Sequence, residues 1–199
     1  MRFAERTIFL KDGRTCILKP ATPDLAEEMI EYMKKTAIET PFLTRYPDEI
    51  SDTADHEREF LAGKLEDPHS AMIAAVVDGK LAGNCSVYGA GAKRKVRHRC
   101  MMGIALCEEY WGQGIGTAMI GYLTELAKQI GYELMELIVV AENERARVLY
   151  QKCGFIESGR RYHGMKFDDG SYHDEIFMYK ELKGGITHAG RTEGDTGTL

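Results

Sequence analysis

The chain has 199 residues, of which 44% are hydrophobic and 29% charged. That length suits one domain with a sizeable core, and the composition excludes wholesale disorder and a fibrous chain. A net charge of −5 provides no global positive field for nucleic acid or for an anionic membrane surface. The basic run at residues 93–99 is the local exception. A solvated hairpin face explains it better than a binding site, although phosphates also seek cations. The five cysteines (Cys16, Cys85, Cys100, Cys107 and Cys153) form no C-x-x-C pair and lack metal-ligand spacing, so packing thiols and no metal are expected. No apolar leader opens the chain, and no stretch approaches the roughly eighteen apolar residues of a membrane span. A cytoplasmic protein without a membrane partner is the expectation.

In chain order, extended runs at residues 7–10 and 15–18 flank Asp12-Gly13, and Asp-Gly between such runs predicts a two-residue hairpin. Thr22 before Pro23 marks an N-cap with proline at the first helical position. Leu25, Met29, Tyr32, Met33 and Thr36 then recur at helical spacing, so a helix is expected over 23–36. Residues 39–47 carry two prolines and three large apolar groups with no period and read as an ordered loop. A second helix is expected over 53–66, capped by Asp52, with a thin apolar stripe.

Strand-like runs at 71–77 and 81–88 surround Asp78-Gly79, a second hairpin signal, and an extended run over 97–106 completes an antiparallel meander. After it the period changes. Ile115, Ala118, Met119, Tyr122, Leu123, Leu126, Ala127 and Ile130 follow the i, i+3, i+4, i+7 template, and Gly131 stands where a helix stops. The β-branched run at 134–140 suits a buried strand, so residues 98–140 read as strand, helix, strand with the two strands parallel. Asn143 can cap a helix whose inward face carries Ala146, Leu149, Tyr150 and Cys153, ended by Gly154. Runs at 160–165 and 171–179 predict a last hairpin. One domain is expected over 1–182, followed by a loose tail over 183–199 without apolar period.

The chemistry concentrates in Glu109-Tyr110-Trp111-Gly112-Gln113-Gly114-Ile115-Gly116-Thr117, set between a strand and the strongest helix. Alternate glycines let backbone approach a ligand, and a helix N-terminus offers unpaired N–H groups and the positive end of its dipole; together they make a phosphate cradle. The same glycines also suit a tight strand-to-helix turn with no ligand. A Walker A loop is excluded because no Gly-Lys-Ser/Thr follows. The dinucleotide fingerprint is broken at Thr117, and the element comes late, after a meander.

This motif, followed after a strand by Asn143-Glu144-Arg145-Ala146-Arg147-Val148-Leu149-Tyr150-Gln151-Lys152-Cys153-Gly154-Phe155, resembles the core of the GNAT acetyltransferase family. The similarity is clear from about residue 71 to 180. It implies an α/β fold with a mixed sheet: an antiparallel meander, a strand-helix-strand cofactor core and a C-terminal hairpin. It further implies an N-acetyltransferase that moves the acetyl group of acetyl-CoA, a co-substrate, directly to a primary amine of a small molecule or a protein N-terminus. By the same resemblance, backbone groups at Ile104, Ala105 and Leu106 meet the pantetheine arm. Amides of Gly112, Gln113, Gly114, Ile115, Gly116 and Thr117 hold the pyrophosphate, while Asn143 flanks the arm besides capping its helix. Trp111 occupies the position where the family usually has Arg or Gln. Tyr150 matches the general acid that protonates the departing thiolate, and a core tyrosine packed beside Leu149 is the competing reading.

A primary amine near pKa 10 must lose a proton before it attacks, so a base is expected. The sequence names none: Glu39, Glu108 and Glu109 are near, and each reads first as a surface charge. Glu39, Phe42 and Leu43 are expected to wall the acceptor site, and Cys107 and Cys153 to pack rather than react. Two rival functions stay open, a non-catalytic acyl-CoA sensor and a dinucleotide-binding domain that would prefer NAD. A homodimer also fits the resemblance.

Overall fold

A computed structural model describes residues 1–182; the tail expected over 183–199 lies outside the described residues. The chain runs β1 (Arg6–Phe9), β2 (Thr15–Pro20), α1 (Ala26–Glu39), α2 (Ala54–Glu66), β3 (Ser70–Val77), β4 (Lys80–Gly89), β5 (Arg99–Leu106), α3 (Ile115–Ile130), β6 (Leu134–Val140), α4 (Glu144–Lys152), β7 (Ile156–Lys166) and β8 (Tyr172–Glu181). All eight strands join one sheet in the order β1-β2-β3-β4-β5-β6-β8-β7. Among the described residues only the β5–β6 pair is parallel, because α3 carries the chain back between them. The expected mixed sheet, with its meander, crossover and last hairpin, is the architecture found.

Helices cover both faces of the sheet. Ile73, Ala74 and Ala75 are consecutive in β3 and each fully buried, and consecutive strand residues point to opposite faces. The dominant helix is α3, whose apolar stripe puts Met119, Ile120, Leu123 and Leu126 out of contact with solvent. It ends as expected at Gly131, which adopts φ 102°.

Local chemistry moved three boundaries. The turn at Asp12-Gly13 contains three residues, since Leu10 N–H donates to Arg14 O at 2.8 Å and Gly13 N–H to Leu10 O at 3.1 Å. The Asp12 carboxylate holds this longer turn by accepting from the Arg14 backbone at 3.1 Å and its guanidinium at 2.7 Å. Asp78-Gly79 is the expected two-residue turn, with Val77 paired to Lys80. The helix expected over 23–36 begins with a 3-10 turn at Pro23–Leu25 and continues to Glu39. Its last turn is anchored by polar contacts of Glu39, which hydrophobic periodicity cannot register. Finally, α2 is capped by Thr53, whose hydroxyl accepts from His56 N at 3.2 Å, and not by Asp52. Asp52 turns instead toward Arg45 and the His56 ring.

Leu123 sits at the centre of the α3 stripe with no solvent exposure. Leu123→Ala is expected to lower the unfolding free energy by about 2–5 kcal/mol, read from urea denaturation with an unchanged slope.

Candidate functional site

The site begins where a strand pair stops pairing. β5 and β6 are in register at only three positions, Arg99 with Leu134, Cys100 with Met135 and Met101 with Glu136. Beyond them, residues 102–106 continue to pair with β4, and residues 137–140 with β8. The two strands therefore diverge, and a cleft of about 820 Å3 opens between their C-terminal ends.

The backbone of β5 splits its hydrogen-bonding groups between two sides. Ala105 O accepts from the Tyr32 hydroxyl at 2.8 Å, and Cys107 N–H donates to Ala82 O at 3.0 Å, so both residues address β4. Peptide groups alternate in direction along a strand, so Ile104 and Leu106 address the cleft. Leu106 O already accepts from the Trp111 indole N–H at 2.8 Å. Of the three strand-end residues expected at the ligand, Ala105 thus has its carbonyl turned away. The Tyr32 oxygen also accepts from Asn84 N–H at 3.1 Å, and Asn84 is the register partner of Ala105. A phenol from α1 therefore occupies a rung of the β4–β5 ladder.

The glycine turn closes one end of the cleft. Gly112 and Gly114 take φ 75° and 92°, and a side chain at either would point into open space, so their glycine requirement is conformational. The first helical bond of α3 runs from Ala118 N–H to Gly114 O at 3.1 Å, which leaves the amides of Ile115, Gly116 and Thr117 without helical partners. Gly116 serves a different purpose, since a Cβ there would lie 3.0 Å from a Leu149 methyl and 3.4 Å from one of Leu106. It lets α3 pass close to α4 and the end of β5. The Gln113 side chain is half-buried, and its amide oxygen has no hydrogen-bond partner among the described residues.

Trp111 is sandwiched between strand and helix. Besides its bond to Leu106, its ring carries the Arg145 guanidinium 3.0 Å from the centroid. Arg145 lines the cleft, burial lowers its pKa against the opposing charge of Glu108, and no ion pair in direct contact forms with it among the described residues. Just before Arg145, Asn143 caps α4, accepting from Ala146 N–H at 3.2 Å. Tyr150 is buried at 8% exposure, packs edge-on to Phe155 with centroids 5.9 Å apart, and lines the cleft. Burial pushes its phenol up to about 12.

A second cavity, of about 450 Å3, lies among α1, the loop before α2, α2 itself and strands β3 to β5. The two share Thr36, Leu43, Thr44 and residues 103–105, so they meet at the open end of β5. Leu43 lines both cavities and Phe42 the larger one, whereas Glu39 lines neither. Its carboxylate accepts from Glu108 N–H at 2.7 Å, so the structure uses it to tie α1 to the turn after β5. Glu109 pairs with Lys35, which holds its carboxyl below the usual range. Burial pushes the Cys107 thiol up to about 11, away from a reactive thiolate.

Residues that sequence reasoning missed cluster around this second cavity. Tyr32 looked like one more apolar position of α1, and its hydroxyl carried no sequence signal. Glu57 had one: it precedes Leu61 and Leu65 at four-residue intervals, and all three are buried on one stripe of α2.

A cleft between splayed parallel strands, closed by a glycine turn at a helix N-terminus, offers strand backbone and unpaired helix amides to an anionic ligand. The description "Acetyltransferase (GNAT) family" matches residues 25–155, and the chain belongs to that family. A Bacillus subtilis protein, provisionally named a ribosomal protein bS18-alanine N-acetyltransferase, is 30% identical over 97 residues, covering 49% of this chain and 61% of the relative. An uncharacterized N-acetyltransferase of the same organism, YobR, is 43% identical over 63 residues, 32% of this chain and 26% of that one. The chain thus spans less than two thirds of the length of either curated relative. Among solved structures, a GNAT-family acetyltransferase from Streptococcus pneumoniae has 26% identity and a TM-score of 0.79, covering 83% of this chain and 99% of its own.

Tyr32→Phe would leave Ala105 O and Asn84 N–H without their shared partner. It is expected to destabilise the fold by about 1–3 kcal/mol, measured by denaturant titration.

Proposed function

We propose that this protein is an acetyl-CoA-dependent N-acetyltransferase acting on a primary amine, with residues 1–182 forming one catalytic domain. The observation that carries this reading is the cleft itself: unpaired strand backbone on one side, free helix amides at its end and a buried tyrosine on its wall. The amine acceptor in the name of the ribosomal-protein relative supports the reaction class. The five free cysteines support a reducing, cytoplasmic location.

The residues fit the ligand by chemistry. A pyrophosphate needs oriented N–H donors and a cation; the amides of residues 112–117 supply the first and Arg145 the second. Arg145, held on Trp111, thereby compensates for the Arg or Gln that Trp111 replaces. The amides of a pantetheine arm need backbone partners, which Ile104 and Leu106 offer on one side and Asn143 on the other. Bound acetyl-CoA would supply a thioester whose carbon–sulfur bond gives way to a carbon–nitrogen bond, the sulfur leaving with the electron pair. Tyr150 donates its phenolic proton to that sulfur, and its high pKa keeps the proton available at every physiological pH. N–H groups near Leu106 steady the carbonyl oxygen as negative charge gathers there. The phenolate left on Tyr150 recovers a proton from the nitrogen of the new amide.

Acetyl-CoA and CoA are expected to raise the melting temperature while NAD leaves it unchanged. Stabilisation by NAD alone would reverse the assignment. Tyr150→Phe is expected to lower kcat by about 10^2–10^4-fold with little change in the KM for acetyl-CoA. The acid is lost only as pH rises through its pKa of about 12, so kcat should show no Tyr150-dependent decline below about pH 11. A decline centred near pH 10 that disappears in Tyr150→Phe would keep Tyr150 as the acid and count against the raised pKa, whereas full turnover in Tyr150→Phe would count against the role.

A further inference from the structure

The smaller cavity has an acidic wall and an apolar remainder. Asp52 and Glu57 both line it, together with Met29, Met33, Ile50 and Phe60. Asp52 is already engaged: one oxygen meets the Arg45 guanidinium at 3.3 Å and the other the His56 ring at 3.0 Å. Glu57 is not. It is 6% exposed, and among the described residues no hydrogen bond or ion pair reaches its carboxylate. A carboxylate largely shielded from water without a partner in contact is disfavoured in its ionised form, and an arriving cation relieves that penalty.

We propose that Glu57 is the acceptor-binding carboxylate of this site: it holds the ammonium group of a small primary amine carrying an apolar stem, and removes one proton from it. This rests on the acetyltransferase reading above. In the proton step one N–H bond of the ammonium breaks, its electron pair stays on nitrogen, and an O–H bond forms on the Glu57 carboxylate. The free amine then has the lone pair that attack requires, and the proton passes to solvent when product leaves. Burial first, and then the charge of Asp52, hold the Glu57 carboxyl above its usual range, with Arg45 and His56 opposing. Such a group accepts a proton more readily than a solvated carboxylate. The apolar side chains and the volume of about 450 Å3 suit an arylalkyl or alkyl stem better than the polar, continuing backbone of a polypeptide. The cavity reaches the larger cleft at residues 103–105, so an amine seated there lies beside the end of β5.

The test is calorimetric titration of the protein with acetyl-CoA, and of the CoA-saturated protein with phenethylamine, with neutral 2-phenylethanol and with an alanine-initiated pentapeptide. Wild type is expected to bind phenethylamine. Glu57→Gln should weaken that binding by about tenfold or more while leaving 2-phenylethanol and acetyl-CoA affinities unchanged. Glu57→Asp, which keeps the charge on a shorter stem, should retain part of the affinity. Removal of an unpartnered buried charge should leave the melting temperature of Glu57→Gln no lower than wild type, separating a lost contact from a lost fold. Equal phenethylamine affinity in wild type and Glu57→Gln overturns the assignment, as does binding of the pentapeptide in place of phenethylamine. Failure of wild type to bind acetyl-CoA would instead overturn the enzyme reading, so the two failures are distinguishable.

Discussion

Parallel pairing between β5 and β6 ends after three residues, and the site depends on that ending. A fully paired sheet has no free backbone groups in its interior, and a ligand could not enter it. Here each strand keeps its other neighbour, so the divergence exposes one edge of β5 without unravelling the sheet. The crossover through α3 is what makes the pair parallel, and the turn that begins α3 lies at the mouth of the gap. One topological step therefore yields both the strand edge and the helix amides that face it.

The side chains around the gap hold it open by packing and hydrogen bonding. The indole of Trp111 fastens the glycine turn to the last carbonyl of β5, and the absence of a Cβ at Gly116 allows Leu149 to approach. Arg145 stacks on the other side of the indole. This small cluster joins β5, α3 and α4, three of the elements that border the larger cleft. The aromatic residue at position 111 is thus a structural fastener between the end of β5 and α4.

The crossover was the most legible part of the fold. The stripe of α3, its stop at Gly131, the strand at 134–140 and the Asn143 cap are local signals, and the structure reproduces them because local and tertiary preferences agree. Boundaries set by polar contacts were less legible. Glu39 extends α1 by bonding to a residue 69 positions away, and Asp52 gives up the cap of α2 to meet Arg45. The glycine turn and Tyr150 could be located from their motifs, and the larger cleft gathers them. The lining of the smaller cavity, Tyr32, Asp52 and Glu57 among it, is assembled across α1, a loop and α2. Nothing in the linear spacing links it, apart from the carboxylate on an otherwise apolar stripe of α2.

Tyr32 lines the smaller cavity while its hydroxyl stands within the β4–β5 ladder. A wall of one chamber is thereby built into the frame of the other. The loop between α1 and α2 supplies no rung of the sheet, and apart from Tyr46, whose hydroxyl accepts from Asp168 N–H in the β7–β8 turn at 2.9 Å, diversity in what the smaller chamber admits can accumulate there. Position 32 lacks that freedom: a substitution there alters the orientation of Ala105, and with it the backbone groups on either side that face the larger cleft. Evolution of a new pocket in this scaffold is therefore expected to rewrite the loop and spare the tyrosine.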